Sequence, residues 1–344
     1  MKQKHYLLIL TSHNDPFAEV FYNIFAELYN KPNVDIFEGV YKPIPKILKP
    51  LWTIHTAKHL NQKINLPFKS IWNHWITFNN YKIDPNQEYY IIIQNVALIK
   101  RFNIKALTRL TDQPNVHLIY DILDPFEDPV SNSEMLKVLP FERVITYSKE
   151  DAEKYHFEHL LTPYSVLFPK LTQNINQEHK YKMIFVGGNP NIRGEILNQI
   201  FTKLHNKLNY TKKNLFFDLV DVNNDYLKIM NSENTKRWNI NKFLPYKQML
   251  QETIKSNVIL EISSTQNHQS PSLRYYEAVV YNKKLLTNIQ AIKNYPFYNP
   301  KYMKIFNSID DIDEELLKWI DSEEIIDYKY DGQFSPEKLL DLAS

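Results

Sequence analysis

Glycine is scarce in this sequence and is concentrated at one place. The 344 residues include only five glycines, far below the usual share of roughly 7%, and Gly187, Gly188 and Gly194 lie within eight positions. They follow an apolar run typical of a buried strand and precede a helical pattern. Glycine lets the backbone approach a ligand closely or adopt a positive φ, and a helix N-terminus attracts anions. The segment therefore predicts a binding site for a phosphate-bearing ligand at the start of a second α/β domain.

A second helix start is predicted near residue 270. Ser270 is a favourable N-cap and Pro271 suits the first helical position. Arg274 and Glu277 then lie on the same helix face as Ser270. Glu277 falls about two turns into the helix, where it could reach a sugar hydroxyl while the helix N-terminus holds phosphate. The alternative is that Arg274 and Glu277 form only an exposed i,i+3 ion pair, worth about 0.2–0.5 kcal/mol.

The elements that position these residues follow a βαβ pattern, in which short apolar runs alternate with helical stretches. The predicted strands of the first half are Tyr6–Leu10, Tyr89–Gln94, Val116–Tyr120 and Arg143–Tyr147, and those of the second half are Met183–Val186, Asn214–Val220, Asn257–Ile262 and Lys284–Thr287. Such continuous apolar runs are typical of parallel strands covered on both faces. The fold class expected is α/β, with two Rossmann-like doubly wound domains facing a cleft, because ligands of such sheets bind beyond the carboxyl ends of the strands.

The predicted domain boundaries follow from a polar, unpatterned stretch at 171–180, which is read as a linker. Residues 1–170 are expected to form the first domain, and residues 181–308 the second, which holds the predicted site for a phosphate-bearing ligand. The acidic, helical residues 309–344 are expected to return to the first domain.

Length, charge and composition exclude several classes of protein. The length suggests two domains, and 41 basic against 39 acidic residues give a net charge of +2, which offers no general argument for nucleic acid. The absence of cysteine excludes disulfides, thiol catalysis and cysteine-based zinc sites. No stretch approaches 18 uncharged apolar residues, and the N-terminal apolar run reads as a strand instead of a signal peptide. A cytoplasmic location is expected.

The second half resembles bacterial glycosyltransferases of the two-Rossmann GT-B fold, chiefly the metal-independent, retaining-type enzymes with an E-x7-E signature. The resemblance covers most of residues 181–290. It rests on Val186-Gly187-Gly188 with Arg193-Gly194, on Phe243-Leu244-Pro245-Tyr246, and on Glu277-Ala278 before the strand at 284–287. The segment Tyr295-Pro296-Phe297-Tyr298 is similar to surface-polysaccharide transferases in particular.

The resemblance implies a nucleotide-sugar donor, with a UDP-sugar favoured, and neither a metal nor a separate cofactor. By this resemblance the donor is bound by the residues Gly187, Gly188, Arg193, Tyr246, Ser270, Ser272, Arg274 and Glu277. Arg193 corresponds to the residue that contacts the diphosphate, and Glu277 corresponds to the residue that binds the ribose. The sequence departs from the family where Gln269 replaces the first Glu of the signature, where Ser270 and Ser272 replace glycines, and where Arg274 replaces a lysine.

Two residues of the first half are candidates for catalysis. Asp121 follows the predicted strand at 116–120 and could position or deprotonate an acceptor hydroxyl, although aspartate is also common in turns and caps. His13, in the loop at 11–16, could act on the acceptor, or its segment could simply cap the helix that begins near Pro16. The eleven histidines are scattered, and Asp121 with Asp124 has the spacing of a strand-end loop, so no metal site is expected.

The segment 41–52 interleaves lysine with apolar residues, and Trp72 and Trp75 follow it. Lysine with tryptophan at a surface is typical of proteins that lie on anionic lipid, which a lipid-linked acceptor would require. The alternative is an ordinary loop and helix whose Ile and Trp side chains enter the core.

The function expected from these observations is glycosyl transfer from a nucleotide-diphosphate sugar to a glycan or lipid-linked acceptor, in bacterial surface-polysaccharide synthesis. Contact with the inner face of the cell membrane through 41–52 goes with that expectation, and nucleic acid is not an expected partner. Two alternatives remain open. One is a non-catalytic GT-B-like partner or glycan-binding subunit of another transferase, and the other is a nucleotide-sugar epimerase.

Overall fold

The chain folds into two compact units. The computed structural model describes residues 2–10, 18–57, 60, 64, 66–94, 104–123, 126, 135–137, 139–172, 179–188, 193–211, 213–220, 244–263 and 270–344. The first unit comprises Met1–Ser165 together with Phe334–Ser344, and the second comprises Val166–Gln333.

The first unit is built on a six-stranded sheet in the order β2-β1-β3-β4-β5-β6. Its strands are β1 (Gln3–Ile9), β2 (Val34–Phe37), β3 (Gln87–Gln94), β4 (Val116–Ile122), β5 (Arg143–Thr146) and β6 (Glu158–His159). Each neighbouring pair is parallel. The apolar runs of the central strands β1, β3 and β4 are almost fully buried, as expected for a parallel sheet covered on both faces.

The second unit contains a five-stranded sheet in the order β11-β10-β9-β7-β8. Its strands are β7 (Tyr181–Gly188), β8 (Leu215–Val220), β9 (Ser256–Glu261), β10 (Lys284–Thr287) and β11 (Met303–Ile305). These strands are also parallel. Because parallel strands end at the same edge of a sheet, the last residues of β7, β9 and β10 lie at one edge.

The helices connect and cover these strands. In chain order they are α1 (Ala18–Ile24), α2 (Lys49–Thr56), α3 (Ile104–Thr111), α4 (Lys149–Tyr155), α5 (Pro169–Thr172), α6 (Arg193–Leu208), α7 (Tyr246–Ile254), α8 (Leu273–Val280), α9 (Glu314–Asp321) and α10 (Glu337–Ala343). Among the described helices, none combines the length and the apolar character needed to cross a lipid bilayer.

Helix α8 begins two residues later than the sequence predicts. Ser272, not Ser270, is the N-cap, and its Oγ accepts from the backbone N–H of Arg274 at 3.1 Å. Ser270 and Pro271 precede the helix and are buried. Both serines are good caps by residue type, and Ser272 is the one whose hydroxyl also reaches a buried carboxylate, Glu261. Glu277 accordingly lies in the second turn of the helix.

The C-terminal segment 309–344 is divided between the two units, which corrects the expectation that all of it returns to the first domain. Helix α9 places Leu316, Leu317 and Ile320 in the core of the second unit, because its apolar face packs against α6. The chain rejoins the first unit only at residue 334. Helix α10 is bound to that unit by a hydrogen bond, in which Arg143 Nη1 donates to the Leu342 carbonyl at 2.7 Å. The boundary between the units, at residues 165 and 166, also falls before the linker read at 171–180.

Candidate functional site

Strand β7 ends in two glycines, Gly187 and Gly188, at the edge of the sheet where the carboxyl ends of the strands lie. The φ of Gly187 is outside the left-handed region that favours glycine. A Cβ added to Gly187 would lie 3.2 Å from Cζ of Phe185 and 3.5 Å from Nη1 of Arg193. The expected glycine turn therefore begins with strand residues, and the Phe185 ring would have to shift slightly to admit a side chain at Gly187. Residues 189–192 of that turn lie outside the described residues.

Arg193, the first residue of α6, folds back over this strand end. Its Nη1 donates to the Gly188 carbonyl at 2.9 Å. Its Nε is buried and has no hydrogen-bond partner among the residues that the structure describes. Burial lowers the pKa of Arg193, the charge of Glu261 raises it, and the charge of Arg274 lowers it. The two arginines thus bring two positive charges near the end of β7, where an anion would be stabilised.

Arg274 links helix α8 to the same strand end. Its Nη2 donates to the Val186 carbonyl at 3.1 Å, and its Nη1 donates to the carboxylate of Glu277. Glu277 is completely buried, so the pair is not the exposed ion pair considered above. Burial raises the pKa of Glu277, while Arg274 and a hydrogen bond from Tyr246 lower it. Oε1 of Glu277 has no partner in the described part of the chain, which leaves an acceptor oxygen available to a ligand hydroxyl.

A second buried carboxylate, Glu261, lies beside this pair. It is the last residue of β9 and the register partner of Thr287, the last residue of β10. Thr287 Oγ1 donates to its Oε2 at 2.7 Å, and the Ser272 hydroxyl donates to its other oxygen. Through Ser272, Glu261 fixes the N-terminus of α8 against the sheet. Sequence reasoning missed Glu261, although a carboxylate at the end of an otherwise apolar strand was the available signal.

The structure brings most of the predicted donor-binding residues together. Gly187, Gly188, Arg193, Ser272, Arg274 and Glu277 are connected by the contacts above, and Tyr246, at the start of α7, reaches Glu277. Ser270 is buried two residues before the cap. Phe243 and Gln269 lie outside the described residues.

Asp121 lies in the first unit, within β4 and not in a turn. Its register partner on β3 is Gln94, and both side chains are buried. Burial raises the pKa of Asp121 to about 7, and the Gln94 amide opposes this shift. Oδ2 of Asp121 has no partner among the described side chains and backbone groups. The other catalytic candidate, His13, lies outside the described residues.

The described residues contain no group of three or more His, Asp or Glu side chains that could hold a metal ion. The arrangement in the second unit instead offers two guanidinium groups, a tight glycine strand end and a buried carboxylate. Guanidinium groups suit phosphate oxygens, often in a bidentate manner, and a carboxylate accepts hydrogen bonds from hydroxyl groups.

Comparison with known proteins identifies the fold. No protein-family model matches the sequence, and no curated protein matches it. An alpha-glucosyltransferase solved in complex with UDP-glucose and DNA containing an abasic site matches with a TM-score of 0.55 and 12% identity, over 99% of each chain. S. aureus MnaA, solved with UDP, matches with a TM-score of 0.50 and 14% identity, over 98% of this chain and 95% of that chain. A Listeria monocytogenes protein assigned as UDP-N-acetylglucosamine 2-epimerase matches with a TM-score of 0.50 and 12% identity, over 99% and 95%.

The fold class predicted from the sequence is confirmed. The chain has two parallel-sheet, Rossmann-like α/β units, and its likeness to proteins of the GT-B fold extends over nearly the whole chain. Membership of the E-x7-E family stays a prediction.

Proposed function

We propose that this protein is a glycosyltransferase that uses a nucleotide-diphosphate sugar, with a UDP-sugar favoured, and transfers the sugar to an acceptor hydroxyl. The observation that carries the proposal is the pairing of Arg193 and Arg274 at the glycine end of β7 with the buried carboxylate of Glu277. Cationic and carboxylate groups at one strand edge match the two polar parts of a nucleoside diphosphate, which are its phosphates and its ribose.

The diphosphate is assigned to Arg193, Arg274 and the N-terminus of α6. The buried Nε of Arg193 lacks a partner among the described residues, and a buried donor without a partner costs free energy that a phosphate oxygen would offset. When the sugar leaves, negative charge develops on the terminal phosphate of the departing nucleotide. Guanidinium groups and helix N–H groups that are already in place stabilise this charge without a metal ion.

The ribose is assigned to Glu277, as the resemblance of its segment to the second Glu of the E-x7-E signature implies. A ribose hydroxyl would supply the missing partner of Oε1. The same hydroxyl would donate a hydrogen bond to the ionised form of Glu277. Burial disfavours this ionised form, and the hydrogen bond would stabilise it.

The acceptor is assigned to the first unit, where Asp121 supplies a carboxyl group whose pKa is raised to about 7. A group that titrates near neutral pH is suited to accept a proton from a hydroxyl nucleophile. The acceptor class that we propose is a glycan or lipid-linked glycan of bacterial surface-polysaccharide synthesis, with a retaining course and no metal requirement. This finer assignment rests on the resemblance of most of residues 181–290, and of Tyr295-Pro296-Phe297-Tyr298, to those transferases.

The test is calorimetric titration with UDP, GDP, CMP and UDP-sugars, in buffer containing EDTA. We expect micromolar binding of one nucleotide and of its sugar conjugate, unchanged by the chelator. A folded sample that binds none of them would contradict the proposal and favour a non-catalytic partner. Conversion of the donor sugar to its epimer without any acceptor would favour an epimerase instead.

A further inference from the structure

The segment that connects β2 and β3 has an unusual charge distribution. The 45 residues from Gly39 to Ile83 contain seven lysines and no aspartate or glutamate, although 39 of the 344 residues are acidic. The chain as a whole has a net charge of only +2. The segment therefore has a formal charge of +7, whereas the 34 basic and 39 acidic residues of the rest of the chain give −5.

The same segment exposes most of the large apolar side chains found at the described surface. Of nine exposed large hydrophobic side chains in the described residues, seven lie between 47 and 71. Ile47 is 87% exposed and Phe68 is 76% exposed. Phe68 also has a left-handed backbone, with φ of 61°, which is uncommon for a bulky side chain.

Helix α2 shows why these side chains remain outside. Trp52 and His55 form its inner face, because the Trp52 ring packs 5.1 Å from that of Trp72 and the Trp72 indole donates to His55 at 2.9 Å. Leu51 and Ile54 lie on a different face and are 42% and 49% exposed. Ile47, in the 3₁₀ turn Lys46–Leu48 that precedes the helix, is exposed as well. The helix is thus anchored by its aromatic residues and presents aliphatic residues to solvent.

Three lysines lie close to these aliphatic residues in the sequence. Lys42, Lys46 and Lys49 are all exposed, and Lys46 and Lys49 stand on either side of Ile47 and Leu48 in the sequence. We define the basic apolar surface as the side chains of Lys42, Lys46, Ile47, Lys49, Leu51, Ile54, Phe68 and Ile71.

We infer that the basic apolar surface binds an anionic lipid bilayer. Aliphatic side chains that enter the headgroup boundary, with lysines beside them that meet anionic headgroups, are the composition of interfacial membrane helices. A protein partner fits less well, because lysine is depleted at protein–protein interfaces. Single-stranded nucleic acid is bound by aromatic side chains on which successive bases stack, whereas the basic apolar surface has one aromatic residue, Phe68, and Trp52 and Trp72 pack against each other. The inference does not rest on the proposed function, because lipid binding needs no nucleotide.

The test is co-sedimentation of the full chain with vesicles of phosphatidylcholine alone and of phosphatidylcholine with phosphatidylglycerol. We expect binding to the anionic vesicles that weakens as salt is raised, and little binding to the neutral ones. Replacing Lys42, Lys46 and Lys49 together by Glu is expected to weaken binding by about 100-fold or more, since each lysine near an anionic surface contributes roughly a factor of five. The matched control changes Lys137, Lys149 and Lys154 to Glu. These lysines are exposed elsewhere on the same unit, and we expect a much smaller loss.

A second variant tests whether the aliphatic side chains contribute to bilayer binding separately from the charge of the lysines. Changing Ile47, Leu51 and Ile54 together to Gln keeps the charge and uses a residue that favours helices. We expect it to fold as the parent, by circular dichroism, and to lose about tenfold or more in binding. The inference is overturned if anionic vesicles are not bound at low salt, or if the lysine variant and its control bind equally. The inference is also overturned if the protein binds no vesicles but forms a dimer, and if changing Ile47, Leu51 and Ile54 to Gln abolishes that dimer.

Discussion

Arg274 donates from one guanidinium nitrogen to the carboxylate of Glu277 and from the other to the Val186 carbonyl. The contact ties the second turn of α8 to the end of β7. Glu277 is completely buried, and a buried ion pair of this kind adds little net stability because desolvation offsets the attraction. The nucleotide that we propose would use both charges of this pair at the end of β7.

Glu277→Gln is expected to weaken both ligand binding and folding. The amide keeps the size of the side chain but is a weaker acceptor for a ribose hydroxyl, so the dissociation constant for the donor nucleotide should rise about tenfold or more. The amide also leaves the Arg274 guanidinium without its charged partner, and removing one member of a buried ion pair costs about 3–5 kcal/mol, so the melting temperature should fall as well. Calorimetric titration and thermal unfolding measure the two effects.

Glu315→Gln is the matched control, because Glu315 is an exposed glutamate of the same unit. It should change neither quantity. Unchanged nucleotide affinity in the Glu277 variant would remove the ribose assignment, whatever its stability.

Gly187→Ala tests the close packing at the end of β7. The new methyl group would press on the Phe185 ring at 3.2 Å and lie against Arg193 at 3.5 Å. We expect weaker nucleotide binding, by about threefold to tenfold, because a displacement of Arg193 disturbs a charge-assisted contact. Titration of the variant with the nucleotide that the parent binds gives the answer.

Gly332→Ala is the contrasting variant. Gly332 has a φ of +77° with no atom near its added Cβ, so alanine there should cost about 1 kcal/mol of stability through the backbone alone. Nucleotide affinity should be unaffected. If Gly332→Ala weakened binding as much as Gly187→Ala, the effect would be one of general destabilisation and not of the site.

The sequence predicts the central strands well because their apolar runs are continuous. Each of the eight predicted strands is present, with ends shifted by no more than three residues. Three strands were missed, and all of them are short or at a sheet edge. Strand β2 has only one buried residue, and β6 and β11 have two and three residues. Such strands carry no long apolar signal.

The first residue of α8 could not be predicted from the residues next to it in the sequence. Ser270 and Ser272 are equally suitable caps by type, and the choice depends on Glu261, a residue of another strand that accepts from the Ser272 hydroxyl. The contact is tertiary, so the segment itself contains no information about it. For the same reason the role of Glu261 was not predicted.

The segment 41–52 combines features of both interpretations considered at the start. Trp72 is buried at 2% exposure and Trp52 packs against it, as the core interpretation predicts. Ile47 and Leu51 nevertheless remain exposed. Composition alone could not assign these residues to different faces, because the turn at 46–48 and the packing of α2 decide it.

Lys284→Met is expected to destabilise the second unit. Nζ of Lys284 is buried and donates to the Trp319 carbonyl at 2.7 Å and to the Ser322 carbonyl at 2.6 Å. These groups belong to the C-terminal end of α9, so the lysine satisfies carbonyls that the helix leaves open. Methionine fills the space but cannot donate. A loss of about 2–4 kcal/mol in the free energy of unfolding is expected, measured by urea titration.

Lys301→Met serves as its control, because that side chain is 61% exposed and pairs with Glu324 at 3.4 Å. A surface pair of this kind should contribute less than about 1 kcal/mol. Equal stability of the two variants would show that the carbonyl contacts of Lys284 contribute no more than a surface charge.

Asp121 is expected to make stability depend on pH. Burial raises its pKa from 3.8 to about 7, so between these values the folded chain keeps a proton that the unfolded chain has lost. Stability is then fully present below about pH 4 and decreases as the pH rises to about 7, by up to about 1.4 kcal/mol per pH unit. Asp121→Asn should flatten the curve over this range, whereas Asp112→Asn, at an exposed aspartate, should leave it unchanged. Parallel curves for all three proteins would contradict the raised pKa.

The carboxyl group of Asp121 should make the rate of glycosyl transfer increase with pH, which is opposite to its effect on stability. If Asp121 accepts the proton of the acceptor hydroxyl, only its ionised form is active, and kcat/KM should increase with pH and level off above about 7, where the group is ionised. Asp121→Asn should reduce kcat by about 100-fold or more and abolish that pH dependence, while nucleotide affinity, which depends on the second unit, stays as in the parent. A variant that retains the parental rate and pH profile would assign the carboxyl group to the structure of β4 and not to catalysis.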